Sequence, residues 1–168
     1  MEKPSTTDAS EIKVELRNWL KDAKKAVVAG VGSSIRKDDF IGVEIVRNLR
    51  NRVSQSVYLI ECETVPESFI EPIVEFRPTH ILVIDAALLN LKPGVSKLIK
   101  PDQLAKLPAT STHTLPLQIF CGYLEEVTWA KIALLAIQPE DTSLGEGLTA
   151  KLEKTADYLT ELLLEILP

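Results

Sequence analysis

Apolar residues in this chain fall into two kinds of run, short continuous β-branched stretches and longer stretches with helical spacing. Ile12, Leu16, Trp19, Leu20 and Ala23 recur on one helical face that Thr7 or Asp8 can cap, predicting an N-terminal covering helix over about 8–23. Lys25 to Val31 is β-branched and ends in glycines, the pattern of a buried strand that turns sharply. After the polar turn Ser33 to Asp38, the positions Ile41, Ile45, Val46 and Leu49 predict an amphipathic helix with Asp38 or Asp39 as its cap. Further strands are expected at 56–60, 81–84, 95–99 and 132–137, and helices at 66–74 and 116–126, the latter begun by Pro116. Leu148, Leu152, Ala156, Leu159, Leu163 and Ile166 form the clearest helical stripe and close the chain.

Strands that alternate with helices predict an α/β fold with three layers, α/β/α, around a mostly parallel central sheet. The chain has 168 residues, of which 45% are hydrophobic, so one domain over 1–168 can bury a full core. Lys and Arg number 19 against 24 Asp and Glu, a net charge of -5, which excludes the basic footprint of a nucleic-acid binder. No apolar stretch reaches membrane-span length, and no signal-peptide core precedes Ser10. Cys62 and Cys121 lie far apart and form no C-x-x-C, which fits a reducing compartment. The expectation is a cytoplasmic protein whose partner is another protein or a small solute.

In open α/β sheets the working site lies at the carboxyl ends of the strands, where loops vary freely and helix N-termini point inward. That rule selects Asp39 after the first strand's loop, Asp85 at the end of the third strand, and His113 in the polar loop ahead of the Pro116 helix. An N-cap is the ordinary role for Asp39, but Asp38 can supply that cap and leave its neighbour available. Asp85 continues a buried apolar strand, where a carboxylate is costly unless it is paired, hydrogen-bonded or metal-bound. Two carboxylates and one imidazole suit a divalent transition metal with positions left open for substrate or water. His80 precedes Asp85 by five residues on one strand, roughly 16 Å at ~3.3 Å per residue, and is excluded from the site. Gly30 and Gly32 could cradle a phosphate, but Ile35 occupies the third glycine position of the dinucleotide motif. Cys62 follows the second strand and reads as structural.

Three stretches, in order, resemble the hydrogenase maturation endopeptidases, which process the C-terminus of nickel-iron hydrogenase large subunits. Gly30 to Gly42 resembles the opening G-x-G-N-x-x-x-x-D-D-G-x-G, with Ser33 in place of asparagine and Phe40 in place of a glycine. Arg77 to Ala86, followed by Lys92-Pro-Gly94, resembles the strand that ends in a metal-facing aspartate, and Ser111 to Leu117 resembles the histidine loop. The resemblance implies that Asp39 and Asp85 are catalytic and that, with His113, they face a metal. It also implies cleavage of a C-terminal extension from a hydrogenase large-subunit precursor, with nickel carried by the substrate and no tightly bound cofactor in the enzyme. Two rival readings are a noncatalytic nickel-binding chaperone that uses the same residues and a nucleotide-binding domain that uses Gly30 and Gly32.

Overall fold

The computed structural model describes residues 6–104, 106 and 114–168. In chain order the elements are α1 (Thr6–Leu20), β1 (Ala26–Val31), α2 (Ile41–Leu49), β2 (Val57–Glu63), α3 (Ile70–Phe76), β3 (His80–Ala86) and β4 (Ser96–Ile99). They continue with α4 (Pro101–Leu104), α5 (Thr114–Thr128), β5 (Lys131–Ile137) and α6 (Ala150–Ile166). The five strands form one sheet in the order β2-β1-β3-β5-β4, parallel throughout except for β4, which pairs antiparallel with β5 at the edge. The expected mostly parallel sheet with helices on both faces is therefore present.

Strand alternation divides the core in two. Val28, Leu82, Ile84, Ala133 and Leu135 face α1, α2 and α6, and pack with Leu16, Ile45, Leu49, Leu152 and Leu163. Val27, Ala29, Ile81, Val83 and Leu134 face the opposite layer, where Ile73 of α3 and Leu117, Phe120 and Leu124 of α5 cover them. The stripe at the end of the chain is the buried face of α6, as its spacing predicts.

Several boundaries differ from the sequence expectation. Helix α1 ends at Leu20, not near residue 23, and the amide of Ala23 donates to the Leu20 carbonyl in a closing turn at 2.9 Å. Strand β2 runs on to Glu63, past the expected end at residue 60, and within it the Glu61 carboxylate accepts from Arg47 and, at 2.7 Å, from Arg50. The expected helix over 66–74 is a 3-10 turn at Pro66–Phe69 followed by α3, which stops where Arg77 adopts a left-handed conformation with φ of 53°. Neither Asp38 nor Asp39 caps α2: the chain enters it through a 3-10 turn at Lys37–Phe40, and the N-cap residue Phe40 makes no side-chain cap hydrogen bond. A 3-10 entry satisfies early amides through i→i+3 bonds, as the Asp39 amide to the Arg36 carbonyl shows at 3.0 Å.

His80 begins β3 in register with Ala26 and Lys131, at the amino end of the sheet and away from the site predicted for Asp85. Its buried ring meets Trp19 edge-on at 5.1 Å, Nδ1 lies 3.0 Å from the Thr79 hydroxyl, and Nε2 lies 3.3 Å from an Asp22 carboxylate oxygen. Lys131 holds the same carboxylate at 2.6 Å. Burial pushes the imidazole below its ordinary value of 6.5, and Lys131 adds to this, while Asp22 pulls the other way. The folded protein thus resists a proton that the unfolded chain accepts, so the stabilisation is complete above about pH 6.5 and is lost as pH falls through it. The melting temperature is expected to fall between about pH 7.5 and about pH 5.5, and His80→Leu is expected to flatten that slope. Thermal scans of both proteins across the interval check this; equal slopes would remove His80 as the cause.

Candidate active site

The sheet order places β2 on one side of β1 and β3 on the other, so the chain reverses its direction of winding between β1 and β3. A crevice outside the carboxyl ends of the strands forms at such a switch point. Asp39 lies in the connection that leaves β1, and Asp85 is the last but one residue of β3. Both sequence-predicted acids therefore flank the switch, and both are buried, at 8% and 1% exposure.

Three glycines set this arrangement. A Cβ on Gly32 would lie 1.9 Å from the Asp39 carbonyl oxygen, and one on Gly30 would lie 2.3 Å from that of Gly42. A Cβ on Gly42 would lie 2.1 Å from the Ile84 carbonyl oxygen, the residue before Asp85. The start of α2 therefore rests directly on the backbone of β1 and β3, and that contact carries Asp39 to the end of β3. Gly32 also has φ of 148°, a conformation open to glycine. The space that a phosphate would need at Gly30 and Gly32 is filled by the chain's own backbone, so these glycines serve close packing. The Asp39 carboxylate turns back over this loop, where its Oδ2 accepts from the Ser33 amide at 2.8 Å.

Asp38 has a different task that local sequence reasoning missed. Fully buried, it accepts from the amides of Glu140, Asp141 and Thr149 at 3.0, 2.9 and 2.8 Å, and from the Thr149 hydroxyl. These residues belong to the β5–α6 connection, more than a hundred positions away in sequence. Backbone bonds between Ile35 and Gly145, Lys37 and Gly145, and Asp38 and Asp141 extend the clasp, and Lys37 pairs with Asp141 at 2.8 Å. The Lys37 ammonium and the Ser143 amide hold the Asp141 carboxyl far below its ordinary range.

Gln138 is a second residue that sequence reasoning missed. It follows β5 directly, and its Oε1 accepts from the Leu89 amide at 2.6 Å, fixing the loop that leaves Asp85. A polar side chain placed immediately after the buried run 132–137 is the signal that could have found it. By strand alternation Asp85 shares the face of Ile81 and Val83, which α5 covers. His113 precedes α5 in sequence and lies outside the described residues. Among the described residues, no group of three or more His, Cys, Asp or Glu side chains gathers in a way that could hold a metal. Cys62 is buried, and burial pushes its thiol up to about 12, so it is not a reactive thiolate.

A family model described as hydrogenase maturation protease matches residues 43–166, a span that includes Asp85 and His113 and begins just after Asp39. Among curated proteins, a putative hydrogenase maturation protease of Methanocaldococcus jannaschii is 35% identical over 164 residues, covering 93% of this chain and 96% of the relative. The hydrogenase 3 maturation protease of Escherichia coli is 32% identical over 114 residues, covering 68% of this chain and 72% of its own length. Among solved structures, a NiFe hydrogenase maturation protease from Thermococcus kodakarensis superposes with a TM-score of 0.84 at 32% identity, covering 91% of this chain and 98% of that one.

Removing the Asp38 acceptor leaves three inward-facing amides without their partner, so Asp38→Ala is expected to cost about 3–5 kcal/mol, measurable by chemical denaturation. Gly42→Ala tests the packing separately. Alanine is the better helix former by about 1 kcal/mol, so a loss of about 2 kcal/mol or more must come from the collision with Ile84. An unchanged or raised denaturation midpoint for Gly42→Ala would show that the close contact is not a constraint.

Proposed function

Because the chain belongs to the hydrogenase maturation protease family, we propose that it is an endopeptidase that removes the C-terminal extension of a nickel-loaded hydrogenase large-subunit precursor. The observation that carries this reading is the placement of two buried carboxylates, Asp39 and Asp85, on either side of the β1/β3 switch point. Together with His113 they offer two oxygen donors and one nitrogen donor, a set suited to a divalent transition metal. That metal is the nickel of the substrate, and no resident cofactor is needed. An enzyme whose site is completed by its substrate's cargo stays inactive toward other peptides, because an incomplete site neither positions nor polarises a carbonyl. Asp39 and Asp85 orient the scissile peptide, and one of the two carboxylates takes the proton of the attacking water. We place this reaction in the cytoplasm, consistent with two free, buried cysteines and, among the described residues, no helix long and apolar enough to cross a membrane.

A noncatalytic nickel chaperone would use the same side chains, and the precursor-trimming assay separates the two readings. Purified protein mixed with nickel-loaded precursor is expected to yield the shortened subunit, seen as a mobility shift, whereas nickel-free precursor stays intact. Asp85→Asn keeps the shape of the side chain but lacks the base, and is expected to slow trimming on the order of 10²–10⁴-fold. His113→Ala is expected to lose trimming, while His80→Ala lowers the melting temperature and still trims. Normal trimming by His113→Ala would sink the metal-reading mechanism.

A further inference from the structure

The loops at the two ends of the sheet differ in what they show to solvent. Among the described residues, the connections at the amino end expose one large apolar side chain, Trp129. The connections at the carboxyl end expose five: Ile35 after β1, Val65 after β2, Leu88 and Leu91 after β3, and Leu144 after β5, with exposures from 37% to 78%. They come from four separate loops around the switch point that holds Asp39 and Asp85. Scattered apolar residues are ordinary on a protein surface, but a collection at one end, around one crevice, marks a contact surface.

These side chains stand on fixed backbone. Gly145 donates to the Ile35 carbonyl at 2.9 Å, which makes Ile35 and Leu144 neighbours, and the Asp38 clasp holds both connections. Gln138 Oε1 accepts from two amides that follow Leu88, that of Leu89 at 2.6 Å and that of Leu91 at 3.4 Å. Val65 is tied back to the Cys62 carbonyl at 3.0 Å. Exposed apolar side chains on a prearranged frame lose little conformational entropy when covered, which favours binding over collapse.

We propose that these five side chains form a docking collar for an apolar polypeptide surface of the precursor next to its scissile bond. This rests on the proposed function and adds what that reading leaves open, namely how the substrate is gripped around the acidic centre. The occupant follows from continuity with the crevice: whatever places a peptide bond at Asp39 and Asp85 must pass over the collar. The net charge of -5 disfavours a nucleic acid or an anionic surface as the occupant. Binding energy gathered at such remote contacts positions the reacting bond and appears first in KM.

The test is steady-state trimming of nickel-loaded precursor by the combined variant Ile35→Ser, Leu88→Ser and Leu144→Ser, compared with the unaltered protein. The expected result is a KM raised roughly tenfold or more with kcat and melting temperature nearly unchanged. The conservative set Ile35→Val, Leu88→Met and Leu144→Met is expected to restore KM, and Trp129→Ser, at the other end of the sheet, is expected to leave it unaltered. An unchanged KM in the serine variant overturns the collar and leaves the proposed function standing, as does an equal rise in Trp129→Ser. Failure of the unaltered protein to trim the precursor overturns the proposed function itself, and the collar with it.

Discussion

The contact of α2 with the ends of β1 and β3 is the constraint on which the carboxyl end of the molecule depends. It exists because Gly30, Gly32 and Gly42 carry no Cβ; at each, a methyl group would fall within 2.3 Å of a backbone oxygen. Backbone atoms cannot swing aside as a long side chain can, so the helix would have to lift away from the strands. Lifting it would move Asp39 relative to Asp85, since Asp39 packs on Gly32 and Gly42 packs on the residue before Asp85. Glycine spacing that looks like a phosphate-binding signature in sequence is here the means of bringing two acids to one place.

Adjacent acids with separate roles follow from that geometry. Asp38 points away from the crevice into the β5–α6 connection, where amides of three residues converge on it. Asp39 points back over its own loop toward Ser33. A carboxylate with several amide donors is among the stronger arrangements available to a buried polar group, and it ties two loops that share no core. The rigidity of the site is therefore supplied largely by hydrogen bonds at the carboxyl end, while the layers beneath it are held by apolar packing.

The architecture was legible because its signals are periodic and local. The β-branched runs mark β1, β3 and β5, and the stripe from Leu148 to Ile166 marks α6 to within two residues. Strand-end logic also placed Asp39 and Asp85 where they are found, and separated His80 from them. What the pattern could not reveal depends on distant partners. The absence of a side-chain cap on α2 reflects Asp38 being engaged by residues 140–149, and no window around Asp38 contains them. The antiparallel direction of β4 is likewise a property of its pairing with β5, not of Ser96 to Ile99. Gln138 is one polar residue whose work is done on the loop 89–91, and its meaning appears only when β3 and β5 lie side by side.

The two ends of the sheet also divide the titrating groups, and this bears on how the protein can combine stability with a reactive centre. At the amino end His80, Asp22 and Lys131 form a cluster against Trp19, where burial disfavours the charged imidazole and the cost of protonation falls on folding. At the carboxyl end lie the carboxylates of Asp38, Asp39 and Asp85; backbone amides donate to Asp38 and Asp39, and the Thr149 hydroxyl also donates to Asp38. Along β3 the first residue is His80 and the last but one is Asp85, so the same buried strand links the clusters while its length keeps them apart. At ~3.3 Å per residue, roughly 16 Å of strand lies between the two groups. Acid therefore acts on the stability of the fold through His80, at the end of β3 opposite Asp85. A pH-sensitive contact of the fold is thereby kept at the amino end, apart from the switch point that the two acids flank.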